Sequence, residues 1–259
     1  MAGGLANNHA LVTGGGRGIG LAIARALGAA GARVTLVGRD AARLDKAVLA
    51  LREARIDAQA VQGDVGDAES AARAYDRARQ GFAAPSILVN NAGQAESAPF
   101  HRTDPALWQR MIAANLTGTY LCCRAALPAM VERGQGRIVN IASTAGLKGY
   151  AYVTAYCAAK HGVVGLTRAL AQETARCGVT VNAVCPGYTD TDMVAESVAR
   201  IVAKTGRGAD EARAELARGN PQGRLITPEE VAATVLFLCG ADAGSITGQA
   251  IAVSGGETA

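Results

Sequence analysis

A chain of 259 residues, 49% of them hydrophobic, suits one large α/β domain with a sizeable buried core. Its net charge of +4, spread without any Lys/Arg run, gives no case for a nucleic-acid partner. No apolar run reaches the roughly 18 residues of a membrane span, and the opening MAGGLANNHALVTGGG lacks the charged start and apolar stretch of a secretory leader. The expectation is a cytoplasmic protein without a membrane partner. Cys122, Cys123, Cys157, Cys177, Cys185 and Cys239 include no C-x-x-C pair, and His9, His101 and His161 are scattered. No metal site is expected, and the cysteines read as reduced, buried thiols.

In chain order, short β-branched runs alternate with helical patterns. Strands are predicted at His9–Thr13, Val34–Gly38, Ala58–Gln62, Ser86–Asn90, Gly136–Ala142, Thr180–Val184 and Ala250–Val253. Helices are predicted at Ile19–Ala30, Ala41–Ala54, Ala68–Gln80, Pro105–Val131, Thr154–Cys177 and Pro228–Cys239. Strict alternation implies βαβ units with right-handed crossovers. Strands apolar on both faces require helices on both sides of a parallel sheet. The expected fold is α/β: a single-domain, Rossmann-type, doubly wound parallel sheet over residues 1–259. Residues Asp192–Arg224 break the rhythm, being helical in composition but charged, with a break at Lys204–Gly208. Such a segment near the carboxyl edge of a sheet is a candidate substrate lid.

The first strand runs into Thr13-Gly14-Gly15-Gly16-Arg17-Gly18-Ile19-Gly20, and a helix follows. Glycines permit the turn and let the backbone approach a pyrophosphate, which then faces the positive end of the helix dipole. The spacing T-G-x-x-x-G-x-G resembles the glycine motif of short-chain dehydrogenases/reductases. At the second strand the apolar run stops at Val37, so the tip position is Gly38, and Asp40 fits a helix N-cap. No acid stands at the tip to accept a ribose 2′-OH and repel a 2′-phosphate, while Arg39 and Arg17 offer planar guanidinium forks. This favours NADP(H) over NAD(H).

Further segments match the same family. Asp64-Val65 resembles its adenine-contacting pair, and Asn90-Asn91-Ala92-Gly93 its N-N-A-G turn. Tyr156 and Lys160, four apart, share one helix face. An ordinary phenol, with a pKa of about 10, is a poor base near neutrality. A Lys⁺ about 5 Å away attracts a phenolate by roughly 3 kcal/mol at an effective dielectric near 20, about two pKa units. Ser143 ends the fifth strand within reach of the same oxygen. Asn115, within Ala113–Gly118, is an asparagine in an apolar helical setting, where it competes with the backbone. The resemblance implies an Asn115-Ser143-Tyr156-Lys160 tetrad, with Asn115 at a helix irregularity holding a water near Lys160. It also implies that Pro186, Gly187 and Thr191 hold the nicotinamide carboxamide. It covers Ala10 to Glu257 and departs at Ser254-Gly255-Gly256, where Asp-Gly-Gly is the family pattern.

The cofactor-binding set expected from this reading is Gly14, Arg17, Gly18, Ile19, Gly20, Arg39, Asp64, Val65, Asn91, Ala92, Gly93, Pro186, Gly187 and Thr191, with Tyr156 and Lys160 shared with the chemistry. The implied activity is interconversion of a ketone and a secondary alcohol by hydride transfer. The pattern looks most like 3-oxoacyl-carrier-protein reductases and 3-hydroxyacyl-CoA dehydrogenases, which makes a 3-oxoacyl thioester one candidate substrate. An NAD-dependent dehydrogenase of a small hydroxy compound, or a non-catalytic nucleotide binder, is the alternative. Leu121, Ala125, Leu127, Val163 and Leu166 leave two long helices apolar on more than one face, and with the resemblance this predicts a homotetramer.

Overall fold

The computed structural model describes residues 4–259; residues 1–3, part of the opening stretch read for a leader, lie outside it. Seven strands form one sheet: β1 (His9–Thr13), β2 (Arg33–Gly38), β3 (Ala58–Gln62), β4 (Ile87–Asn90), β5 (Gly136–Ile141), β6 (Val179–Pro186) and β7 (Ala250–Val253). The order is β3-β2-β1-β4-β5-β6-β7, and every pairing is parallel. Each strand lies within about two residues of its sequence assignment, and the fold is the expected doubly wound α/β sheet.

The two-residue period of the strands divides the core. Ala10, Val12, Val34, Leu36, Ile87, Val89, Val139 and Ile141 face one side. There they meet α1 (Gly18–Ala29), α2 (Ala41–Glu53) and α9 (Pro228–Cys239). Leu11, Val37, Leu88, Ile138 and Val181 face the other, against α3 (Ala68–Gly81), α5 (Gly118–Arg133) and α6 (Thr154–Thr174). Four helices start on side-chain caps: Asp40 for α2, Asp67 for α3, Asp104 for α4 (Pro105–Ile112), and Thr227 in a capping box for α9. Helix α1 starts at Arg17 with no side-chain cap, and its first-turn N–H groups face the glycine loop.

Two expectations are corrected. The helix expected over Pro105–Val131 is three pieces, because a π turn at Ala113–Thr117 separates α4 from α5. Asn115 causes it: its amide bonds the carbonyl of Met111 at 2.9 Å and that of Gln94 at 2.9 Å, drawing the chain out of regular pitch. Of the five apolar residues expected to give these helices more than one apolar face, Leu121 and Val163 are buried inside the protomer, while Ala125, Leu127 and Leu166 are half-buried. Tyr120 and Val131 on α5 and Trp108 on α4 are exposed. The charged stretch forms α7 (Asp192–Thr205) and α8 (Ala209–Ala217). Among the described residues no helix is long and apolar enough to cross a membrane.

His9 is buried at the start of β1, 2% exposed. Gln59 donates to the Thr35 hydroxyl at 2.8 Å, Thr35 lies 2.7 Å from His9 Nε2, and His9 Nδ1 lies 2.5 Å from the Ala83 carbonyl. Only a neutral imidazole protonated on Nδ1 lets each group in that chain donate once and accept once. Burial, opposed by the Ala83 bond, lowers the His9 pKa from 6.5 to about 4. The unfolded chain takes up the proton near 6.5 and the folded chain does not, so stability falls as pH drops from 6.5 toward 4. Urea unfolding at about pH 5 is expected to show roughly 2 kcal/mol less stability than at neutrality. His9→Gln should flatten that slope, and an unchanged slope would refute the assignment.

Candidate active site

The chain winds outward from β1 to β3, then returns to place β4 on the other side of β1. The loops after β1 and β4 therefore part, and a crevice opens at the carboxyl end of the sheet. A cleft of about 300 Å³ occupies it. Gly14, Arg17, Gly18 and Ile19 line it after β1, and Asn91, Ala92 and Gly93 after β4. Asn115, Ser143, Tyr156, Lys160, Pro186, Gly187 and Thr191 also line it. Residues spread over nearly 180 positions of the chain thus share one cavity.

The glycine loop is tied across the gap. Asn91 Nδ2 donates to the carbonyls of Thr13 at 3.0 Å and Gly14 at 3.2 Å, while the Thr13 hydroxyl accepts from the amides of Asn91 and Ala92 at 3.0 Å each. Gly14 has φ +63°, which favours glycine. Gly20 is outside the cleft lining but fixes the loop: a Cβ there would lie 2.3 Å from the Gly14 oxygen. Helix α1 can approach β1 this closely only without that atom. The uncapped first turn of α1 and a backbone cradle that a side chain would fill fit the pyrophosphate of a dinucleotide.

At the tip of β2, Asp40 is the α2 cap and accepts from the Arg43 amide at 3.0 Å, so it is not a ribose ligand. Arg39 is exposed and has no ion-pair partner among the described residues. Arg17 does not turn toward Arg39: its guanidinium lies 3.2 Å from Asp192 and 3.3 Å from Glu196 on α7. Asp64 and Val65 stand outside the cleft lining. Asp64 accepts from the Gly66 amide at 2.9 Å, and the Val65 side chain is buried, 2.9 Å from where Gly118 would carry a Cβ. The sequence reading missed Arg43, whose stem packs on the loop, 3.3 Å from a Cβ built at Gly16. It follows Arg39 by four residues, and that spacing was the signal available.

The reactive groups come from three elements. Ser143 continues β5 in extended backbone and its hydroxyl accepts from the Ala145 amide at 3.1 Å. Tyr156 and Lys160 stand one turn apart near the start of α6, and Ser143 hydrogen-bonds the phenol. Lys160 is 4% exposed and donates to the Ile141 carbonyl at 2.8 Å; its Nζ is 5.6 Å from the Tyr156 ring centre. Gly93 leaves room for this group, since a Cβ there would lie 2.6 Å from Asn115 Oδ1 and 3.6 Å from Lys160 Nζ. Burial pushes the Tyr156 pKa up to about 12, with the Ser143 bond pulling the other way, and lowers that of Lys160 to about 8. In the free protein desolvation of the phenolate outweighs the lowering expected from Lys160, whose ammonium donates to a backbone carbonyl. A phenol held protonated beside a serine hydroxyl can donate a proton to a substrate oxygen near neutral pH. Tyr150, Val153, Tyr188 and Met193 line the cleft as well, and the sequence did not single them out.

The chain is similar to known proteins along nearly its whole length. The family model for short chain dehydrogenases matches residues 8–201. Cis-4-hydroxycyclohexanecarboxylate dehydrogenase of Sinomonas cyclohexanicum is 44% identical over 98% of this chain and 98% of its own. A putative ketoacyl reductase of the granaticin polyketide synthase of Streptomyces violaceoruber is 44% identical over 95% of this chain and 92% of its own. Among solved structures, a variant of actinorhodin polyketide ketoreductase with NADPH superposes with a TM-score of 0.94 at 39% identity, covering 100% of this chain and 99% of that one.

Proposed function

The chain belongs to the short-chain dehydrogenase family and is an NAD(P)-dependent oxidoreductase, and from that premise we propose that it interconverts a ketone and a secondary alcohol with NADP(H) preferred over NAD(H). The observation that carries this reading is the convergence of Ser143, Tyr156 and Lys160 on the cleft that also holds the glycine loop. A nicotinamide cofactor, when bound, supplies or accepts the hydride. Gly14, Gly18, Ile19 and Gly20 form its pyrophosphate cradle, Asn91, Ala92 and Gly93 the wall beside it, and Pro186, Gly187 and Thr191 the carboxamide end. Asp64 and Val65 serve the adenine end through their backbone, since the Val65 side chain belongs to the core.

In the reducing direction Tyr156 gives its proton to the carbonyl oxygen as negative charge develops there, and the Ser143 hydroxyl donates a hydrogen bond to the same oxygen. Lys160, charged below a pKa of about 8, holds the ribose hydroxyls and stabilises the phenolate left on Tyr156. Asn115 commits both amide hydrogens to Gln94 and Met111. Its Oδ1 accepts one bond from the Gln94 amide, and we assign its remaining lone pair to the water that returns protons toward Lys160.

Arg39 is the contact we assign to the cofactor 2′-phosphate, with Arg43 beside it. Arg17 joins the cradle to α7, so the segment 192–224 serves as a lid that Arg17 fastens. For the substrate we favour a 3-oxoacyl thioester, on the likeness to the granaticin ketoacyl reductase; a ring ketone is the second reading, supported by the aromatic wall and the hydroxycyclohexanecarboxylate dehydrogenase.

Three measurements test this. Tyr156→Phe should fold and bind NADPH yet lose at least about 10²–10⁴-fold in turnover of acetoacetyl-CoA or 4-oxocyclohexanecarboxylate. Lys160→Ala should differ by weakening cofactor binding as well, and wild-type reduction should decline as pH rises through about 8. Near wild-type turnover by the phenylalanine variant would sink the mechanism. In titrations of the two cofactors, NADPH should bind more tightly than NADH, and Arg39→Ala should weaken NADPH selectively, by roughly 1.5–3 kcal/mol for a lost charged hydrogen bond; equal losses would count against the 2′-phosphate contact. Trp108, Tyr120 and Val131, each exposed in the single chain, should be covered in a tetramer. Light scattering is expected to give about four times the 26.3 kDa of the chain, and a stable monomer would refute it.

A further inference from the structure

Glu257 lies three residues from the C-terminus and belongs to none of the motifs above. Its side chain is only 3% exposed, yet it is a carboxylate. Two groups from the loop after β5 meet it: the Tyr150 hydroxyl donates to Oε1, and Lys148 Nζ lies 3.3 Å from the same oxygen and 3.2 Å from the Glu257 carbonyl. Oε2 reaches the loop after β6, 3.0 Å from where Gly187 would carry a Cβ, and Oε1 reaches the end of α8, 3.1 Å from the same position at Gly219. One carboxylate thus bonds the loop after β5 and packs beside the loop after β6 and the end of α8. A buried charge left unpaired is costly, so the Lys148 and Tyr150 contacts hold the loop after β5 to the C-terminal tail.

We propose that Glu257 is a positioning residue for substrate: it clamps Tyr150 so that the Tyr150 ring forms a fixed wall of the cleft that holds Ser143 and Tyr156. Tyr150 and Tyr188 both line the cleft. The Tyr150 hydroxyl is anchored by Glu257 on one side and by the Thr144 hydroxyl, 2.7 Å away, on the other. With the hydroxyl spent there, the ring contributes shape rather than a hydrogen bond. The wall selects the substituent on the ketone. Burial, and after it the Glu257 bond, raises the Tyr150 pKa, as a clamped phenol requires.

The inference rests on the ketone-reduction reading only in its kinetic arm. Glu257→Gln and Tyr150→Phe should each raise KM for the ketone about tenfold while leaving kcat within about threefold and NADPH affinity unchanged, a split that general loss of structure does not produce. The double variant should cost no more than either single one, because both break one clamp. Ultraviolet difference titration needs no substrate: in Glu257→Gln one tyrosine should ionise at lower pH than in the wild type, and that difference should vanish when Tyr150→Phe is added. If wild-type protein reduces neither acetoacetyl-CoA nor 4-oxocyclohexanecarboxylate, the function fails and the titration still decides the clamp. If Glu257→Gln does not fold, Tyr150→Phe carries the kinetic test. An unchanged titration, an unchanged ketone KM, additive effects, or equal losses for ketone and NADPH overturn the proposal.

Discussion

The cleft depends on the Asn91 side chain reaching across the gap between β1 and β4 to the carbonyls of Thr13 and Gly14. Strands that diverge leave backbone groups without ladder partners, and in a half-buried crevice those groups must be satisfied by other means. Asn91 satisfies two of them and Thr13 two more in return. The crossing fixes the distance between the phosphate-binding loop and the wall after β4, and it leaves no room for side chains at Gly14 or Gly20. Glycine at these positions is a packing requirement before it is a binding feature.

The chemistry follows from how the crevice treats charge. Burying a phenol and an ammonium side by side in a dry pocket penalises both charged forms, so Tyr156 moves up and Lys160 moves down. A neutral phenol is what ketone reduction requires as a proton donor, and bond making at the oxygen is supported by Ser143 rather than by a phenolate formed in advance. Lys160 in turn is held by the Ile141 carbonyl, which places it under the floor of the cleft beside Asn115. The π turn exists for the same reason. A regular helix through residues 113–117 would have used the Met111 carbonyl in its own ladder, and the Asn115 amide takes that carbonyl instead.

The outer parts of the site are held by charges from distant segments. Arg17 fastens α7 to the glycine loop with two exposed ion pairs, each worth little alone and weakened by salt. Glu257 is the opposite case, buried and multiply bonded, so its contacts are fixed. The cofactor side therefore closes on contacts that can break, and the substrate wall stands on contacts that cannot easily do so.

The sequence by itself determined the fold class, the seven strands, the glycine loop and the Asp40 cap. Each is recorded in local patterns: a two-residue or 3.6-residue period, a glycine spacing, or a polar residue at a helix start. Tertiary structure alone decided the rest. That Leu121 and Val163 face inward depends on which side of each helix meets the sheet. That Arg17 pairs with Asp192 and Glu196, more than 170 positions away, depends on where α7 crosses the cleft. The upward shift of Tyr156 is desolvation, which depends on every surrounding atom and not on the spacing of a tyrosine from a lysine. Glu257 sits in a tail with no motif of its own, and only the packing of three loops around it turns an ordinary glutamate into the anchor of a wall.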